Sequence, residues 1–136
     1  MSDLVIDTSA AVAILTSEPG ADELIDQMAE ATGRRMSTAT LVELSIVMEA
    51  RLGPPGQGIV ERFLRDSEID LVPVDRTHVD RALEGWRRYG KGRHPAALNF
   101  GDCFAYALAV SDGSPVLCVG DDFAATDIDV VRPTEQ

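Results

Sequence analysis

Five acidic residues stand where short apolar runs end or helices begin. Asp7 follows Leu4-Val5-Ile6, Glu43 lies among Leu41, Val42, Leu44 and Ile46, Asp102 opens an apolar stretch behind Gly101, and Asp121-Asp122 follow residues 116–119. An acid flanked by apolar neighbours must reach solvent along a narrow polar strip or find a buried partner. Carboxylates gathered within a few ångströms raise one another's pKa and oppose folding unless something cationic neutralises them. Lys91 is the only lysine, and it is not adjacent to any of these acids in sequence. A divalent ion is the natural partner, and a donor set without His or Cys favours Mg²⁺, with Mn²⁺ as a substitute, as one ion or two. A hard ion in an open carboxylate pocket serves phosphate chemistry: it polarises a phosphoryl oxygen, lowers the pKa of a bound water and stabilises the leaving oxygen. Asp7 and Asp102 read as direct ligands. Glu43, Asp121 and Asp122 read as secondary candidates that bind through water, orient the attacking water or hold a second ion. Purely structural readings stand beside these: Asp7 as a helix N-cap, Asp102 as a first-turn acid, Asp121-Asp122 as a turn.

The elements that must carry these residues alternate. Residues 4–6 read as a strand that leads through Asp7-Thr8-Ser9 into a helix over 10–15, and Ser17-Glu18-Pro19-Gly20 separates it from a helix over 21–31. A brief strand at 34–37 precedes a helix from Thr38 or Thr40 to about Leu52, with Leu41, Leu44, Ser45, Met48 and Leu52 at helical spacing. Gly53-Pro54-Pro55-Gly56 stops it. A helix over 58–65, a strand over 69–74 and a helix over 77–89 follow, the last with Val79, Ala82, Leu83 and Trp86 along one stripe that assigns Trp86 to the core. Residues 90–100 read as an ordered loop, 102–110 as a helix, 115–119 as a buried strand and 129–131 as a final short one. This alternation gives an α/β domain of three layers, with a mostly parallel central sheet of four to five strands and helices on both faces. Ligands bind beyond the carboxyl ends of such strands. Asp7 and Asp121-Asp122 both fall there if their strands run parallel.

The 136 residues suffice for a single domain, 1–136, with one full-sized apolar core. A net charge of −11 argues, as a total, against a nucleic-acid partner, because nonspecific affinity comes from cations that release counterions. The distribution says otherwise. Residues 1–33 hold seven acids and no base, 34–101 nine acids and eleven bases, and 102–136 seven acids and one base. Cys103 and Cys118 lie outside any metal-ligand spacing and read as reduced, structural thiols. No apolar run approaches the ~18 residues of a membrane span, and the N-terminus lacks a basic leader, so the expected location is the cytoplasm.

The basic charge is concentrated. Between residues 85 and 101 the chain carries Arg87, Arg88, Lys91, Arg93 and His94 and no acid. These read as a clamp for an RNA backbone on either side of the scissile phosphate, with Tyr89 or Trp86 able to stack a base. For Arg87 and Arg88 the alternative is a cationic helix end that meets its dipole. His94 as a general base is unnecessary where a metal-bound hydroxide is the nucleophile.

The segments LVIDTSA, STATLVELSIV, YGKGRHPAALNFGDCFAYALA and VGDDFAATDI together resemble the PIN-domain ribonucleases, in particular the VapC toxins of type II VapBC toxin–antitoxin pairs, over nearly the whole chain. The resemblance implies a PIN-like fold in which Asp7, Glu43 and Asp102 form the metal site. A fourth acid comes from Gly120-Asp121-Asp122-Phe123; the family turn G-x-D-F favours Asp122 and leaves Asp121 open. Thr8, Ser9 and Ser37 match small polar residues that line such sites. Also implied are a Mg²⁺-dependent endoribonuclease that inhibits translation and growth, a VapB antitoxin whose tail offers an arginine to the carboxylates, and a homodimer. Surplus apolar stripe over residues 9–31 and 38–65 would serve a partner groove or dimer contact. Three other classes compete. A receiver-like signalling domain wants a lysine near its pocket, a small-molecule phosphatase wants a second Asp two residues after Asp7, and a catalytically silent binding module wants neither.

Overall fold

Short apolar runs separated by amphipathic stretches long enough to cross back over a sheet produce parallel pairing. The computed structural model describes residues 3–134. The chain runs β1 (Leu4–Ile6), α1 (Thr8–Leu15), α2 (Ala21–Glu30), β2 (Arg34–Ser37), α3 (Thr38–Leu52), α4 (Pro55–Asp66), β3 (Ile69–Val72), α5 (Arg76–Tyr89), α6 (Phe100–Asp112), β4 (Val116–Leu117), a 3₁₀ turn (Phe123–Ala125) and β5 (Val130–Val131). The strand order is β3-β2-β1-β4-β5, with every pairing parallel. The chain thus builds outward from β1 on one side, then returns through α5 and α6 to lay down β4 and β5 on the other. The order reverses between β1 and β4, and an open parallel sheet has its crevice at that point, beyond the carboxyl ends.

The sheet separates two apolar layers. Leu4 and Ile6 of β1 pack with residues of α1 to α4, such as Ala10, Leu24, Leu44 and Val60. Val5, which points the other way along the pleat, packs with Ala82 and Tyr89 of α5 and Ala105 and Leu108 of α6. The three-layer α/β architecture expected from the alternation is the observed one. Close approach of α5 to α6 needs a glycine: a Cβ on Gly85 would fall 2.6 Å from the Tyr106 ring.

Several local expectations are corrected. α4 begins at Pro55, three residues earlier than its apolar pattern suggests, because proline is well suited to a first helical turn whose N–H groups have no partner. Gly53, at φ +74°, ends α3 and lets Pro54-Pro55 start the next helix. β3 stops at Val72, ahead of Pro73, and β4 spans two residues instead of five. α6 starts at Phe100, which makes Asp102 its third residue. The stripe assigned to α5 is rotated: His78, Ala82, Gly85 and Tyr89 are buried, whereas Val79, Leu83 and Trp86 are exposed. Trp86, at 43% exposure, is therefore a surface residue.

Candidate active site

The carboxylates are placed by the contacts that cap helices. Asp7 is extended and caps α1: its Oδ2 accepts from Ser9 N at 3.0 Å and from Ser9 Oγ at 2.7 Å. Ser9 Oγ also accepts from Val119 N at 3.0 Å, which ties the end of β4 to the end of β1 across the crevice. Asp102 sits in a reciprocal cap at the head of α6. Asn99 Oδ1 accepts from Asp102 N at 2.8 Å, and Asp102 Oδ2 accepts from Asn99 N at 3.1 Å. Both structural readings of these acids hold, and both leave the carboxyls at the crevice.

Glu43 enters from α3. Thr8 Oγ1 donates to its Oε1 at 2.6 Å. Gly101 provides the space, since a Cβ there would lie 2.6 Å from Glu43 Cδ. The turn after β4 divides its two acids. Arg132 Nη1 donates to Asp121 Oδ1 at 2.6 Å, while Asp122 is near enough to Asp102 to raise the pKa of that carboxyl. Of the two, Asp122 is the one that bears on Asp102, and Asp121 is the one paired with a base. Ser37 is placed differently from Thr8 and Ser9: its hydroxyl accepts from Ala39 N at 3.2 Å and caps α3.

The electrostatics follow from burial. Asp7 and Asp102 are 4% and 8% exposed. Desolvation raises the Asp7 pKa against the pull of Ser9, and the Glu43 charge raises it further. Asp102 is pushed up to about 7, first by burial and then by Asp7 and Asp122, with the Asn99 N–H opposing. Among the described residues, none of the ion pairs includes Asp7, Glu43, Asp102 or Asp122. Among the described residues, no three His, Cys, Asp or Glu side chains are gathered closely enough to hold a metal ion by themselves. The arrangement is an open set of oxygen donors with excess negative charge, which suits a hard cation that keeps part of its own hydration. Cys103 and Cys118, beside this set, are free and buried, and burial lifts their thiols to about 11 and about 12.

The basic segment forms a folded loop bridged between Gly90 and Leu98. Arg93 lies over the Trp86 ring at 4.6 Å, and its Nε donates to the Arg87 carbonyl at 3.1 Å. Arg88 is engaged by Asp127 at 3.2 Å and donates to Tyr89 Oη at 2.9 Å. Asp127, far away in sequence, supplies the acid that the segment itself lacks. His94 Nδ1 accepts from Ala96 N at 2.9 Å, and its ring stands edge-on to Tyr89. Lys91 lines a groove of about 620 Å³ with Trp86, Leu98, Asn99, Phe100 and Phe104. A second hollow, holding Glu43 and Val42, shares Asn99, Phe100 and Phe104 with it, so one surface runs from Lys91 to Glu43. Sequence reasoning passed over Asn99 and Phe100; the Asn-x-x-Asp spacing was the available signal for the first.

Two outcomes test this geometry. Asp102 holds in the folded state a proton that the unfolded chain releases near 3.8, so its contribution to stability is present below that pH and is lost as pH rises through about 7. In chelator-treated protein, Asp102→Asn, whose amide oxygen still accepts from Asn99, will melt higher than the parent at pH 8, and the gap will close toward pH 4. Gly101→Ala will displace the Glu43 carboxylate while leaving the fold cooperative, which paired thermal melts and crystal structures of the variant will show.

Comparison with known proteins now bears on the assembled site. Residues 4–129 match the family model of the PIN domain. A protein named Ribonuclease VapC from Mycolicibacterium smegmatis is 49% identical over 129 residues, covering 95% of this chain and 100% of that protein. Ribonuclease VapC30 of Mycobacterium tuberculosis is 46% identical over 128 residues, covering 94% and 98%. Among solved structures, the chain superposes with a TM-score of 0.76 at 19% identity on Mycobacterium tuberculosis VapC20, a sarcin–ricin loop cleaving toxin, covering 96% of this chain and 99% of that one. The fit to the VapBC2 assembly of Rickettsia felis gives 0.75 at 12% identity, covering 96% and 98%. These two share the fold, and the closer relatives share the sequence as well: the chain belongs to the PIN-domain family, among its VapC ribonucleases.

Proposed function

We propose that this chain is a Mg²⁺-dependent endoribonuclease, the toxin of a toxin–antitoxin pair, which hydrolyses RNA phosphodiester bonds in the cytoplasm and so inhibits translation and growth. The observation that carries this reading is a chain of acids at the carboxyl edge of the sheet, Glu43 acting on Asp7 and both Asp7 and Asp122 acting on Asp102, with no cation among the described residues paired to any of them. Asp7 and Asp102 would hold the ion directly, with Glu43 and Asp122 as further ligands or as hosts of a second. Bound Mg²⁺, or Mn²⁺ in its place, would supply Lewis-acid polarisation of the scissile phosphate and a water of lowered pKa.

The chain's own groups do the positioning. Ser9, Thr8 and Asn99 each fix one oxygen of Asp7, Glu43 and Asp102, so the carboxyls arrive oriented. Lys91, Arg93 and Arg87 are the cations offered to RNA phosphates. Arg88 and His94 serve that surface indirectly, through contacts that hold the loop. The receiver-like and phosphatase readings fare poorly, since Lys91 pairs with none of the site acids among the described residues and Ser9 stands where a DxD nucleophile needs its second Asp. Neither family membership nor the site favours them.

A VapB-type antitoxin is the partner, its tail offering an arginine to the carboxylates, and the toxin is a homodimer. Val42 at 59%, Ile46 at 64% and Phe100 at 82% exposure supply apolar surface for such contacts. No helix among the described residues is long and apolar enough to cross a membrane.

Asp7→Asn should lower RNA cleavage by at least about a hundredfold while leaving the circular dichroism spectrum unchanged, and chelation with EDTA should silence the parent protein; cleavage that survives either treatment refutes the reading. Arg93→Ala should weaken RNA binding and reduce the slope of log affinity against log salt by ~0.7, the value for one phosphate contact on single-stranded nucleic acid. Filter binding at several salt concentrations measures that slope.

A further inference from the structure

Asp122 faces a difficulty the other acids do not share. Asp7 and Asp102 are buried caps and Glu43 is held by Thr8, but Asp122 lies on an exposed turn, opposite a carboxyl that repels it when both are ionised. Something must keep that turn from swinging outward. Nη1 of Arg132 donates both to the Gly120 carbonyl at 3.1 Å and to Asp121 Oδ1 at 2.6 Å, and so staples the two residues that precede Asp122. The residue that follows it, Phe123, is 2% exposed and fixed in the α6 side of the core. Asp122 is thus bracketed on both sides.

The base from which Arg132 reaches is itself anchored. It follows β5 directly, where the Val131 carbonyl accepts from Cys118 N at 3.0 Å. Beyond it, Thr134 N and Oγ1 donate to the Glu23 carboxylate at 2.8 and 3.1 Å, pinning the segment to α2. Arg132 is also the only Arg or Lys after residue 93. We propose that Arg132 is a positioning residue for the reaction: by stapling Gly120 and Asp121 it commits Asp121 to the outside of the turn and holds Asp122 against Asp102. This rests on the reading of Asp122 as a member of the metal-holding set.

The test compares Arg132→Ala, Arg132→Lys, Asp122→Asn and the Arg132→Ala/Asp122→Asn double variant, each first checked for a cooperative melt. Three readouts are taken: Mn²⁺ affinity of the RNA-free protein by calorimetry, hydrogen exchange at the Ala124 amide, which is bonded to the Asp121 carbonyl at 3.2 Å, and RNA cleavage split into kcat and KM. Arg132→Ala should speed that exchange about tenfold and weaken Mn²⁺ binding and kcat by about ten- to a hundredfold, with KM for RNA unchanged. Arg132→Lys should recover part of each loss, and the double variant should bind Mn²⁺ no worse than Asp122→Asn alone. Unchanged Mn²⁺ affinity in folded Arg132→Ala overturns the proposal even if exchange rises, because the staple would then serve the turn only. A raised KM with unchanged kcat overturns it in favour of direct RNA contact. If the parent protein binds no Mn²⁺, the metal reading fails, and a crystal structure of Arg132→Ala decides the remainder: Asp122 still beside Asp102 refutes the positioning role, and Asp122 swung away supports it.

Discussion

Burying Asp7 and Asp102 at the mouth of one crevice costs the fold free energy, because each carboxyl loses water and each faces the charge of another acid. That cost shapes much of the surrounding structure. Hydrogen-bond donors are aimed at single carboxyl oxygens: Ser9 at Asp7, Thr8 at Glu43, the Asn99 N–H at Asp102. Such bonds to ionised acceptors are stronger than neutral ones, yet burial still wins for Asp7 and Asp102, whose pKa values stay raised. The remaining imbalance is what a divalent cation would remove on the proposed reading.

The same contacts do structural work. The cap on α1 orients Asp7, and the reciprocal cap on α6 orients Asp102. A helix N-terminus also presents partial positive charge, which favours an acid in its first turn. A cap and a place at the crevice are therefore compatible for these residues, and the sequence alone need not choose between them. Ser9 extends the economy, since one hydroxyl serves Asp7 and the Val119 amide together and so couples the central strand to its neighbour.

What could be read from the sequence was local and periodic. Leu4-Val5-Ile6 before Asp7 announces a strand that ends at an acid, and the alternation of such runs with helices fixes a parallel sheet. What could not be read depended on which way a helix turns against its neighbour. The α5 stripe of Val79, Leu83 and Trp86 looks like core, but the small residues Ala82 and Gly85 allow α6 closer, and the helix rotates to bury them. Long-range pairs were equally hidden. Arg88 meets Asp127 across 39 positions and Glu43 meets Thr8 across 35, and no spacing rule covers such distances. Gly101 makes room for Glu43, which a different helix supplies, and no local pattern announces that occupant.

The two thiols have a consequence outside hydrolysis. Cys103 and Cys118 lie near the acids, and with pKa values of about 11 and about 12 each carries, at neutral pH, a thiolate fraction on the order of one in ten thousand or less. Oxidants and electrophiles that act through thiolate find almost none to attack, and burial removes their access as well. Burial, helped by the charge of the neighbouring acids, thus keeps both cysteines as unreactive thiols beside the crevice.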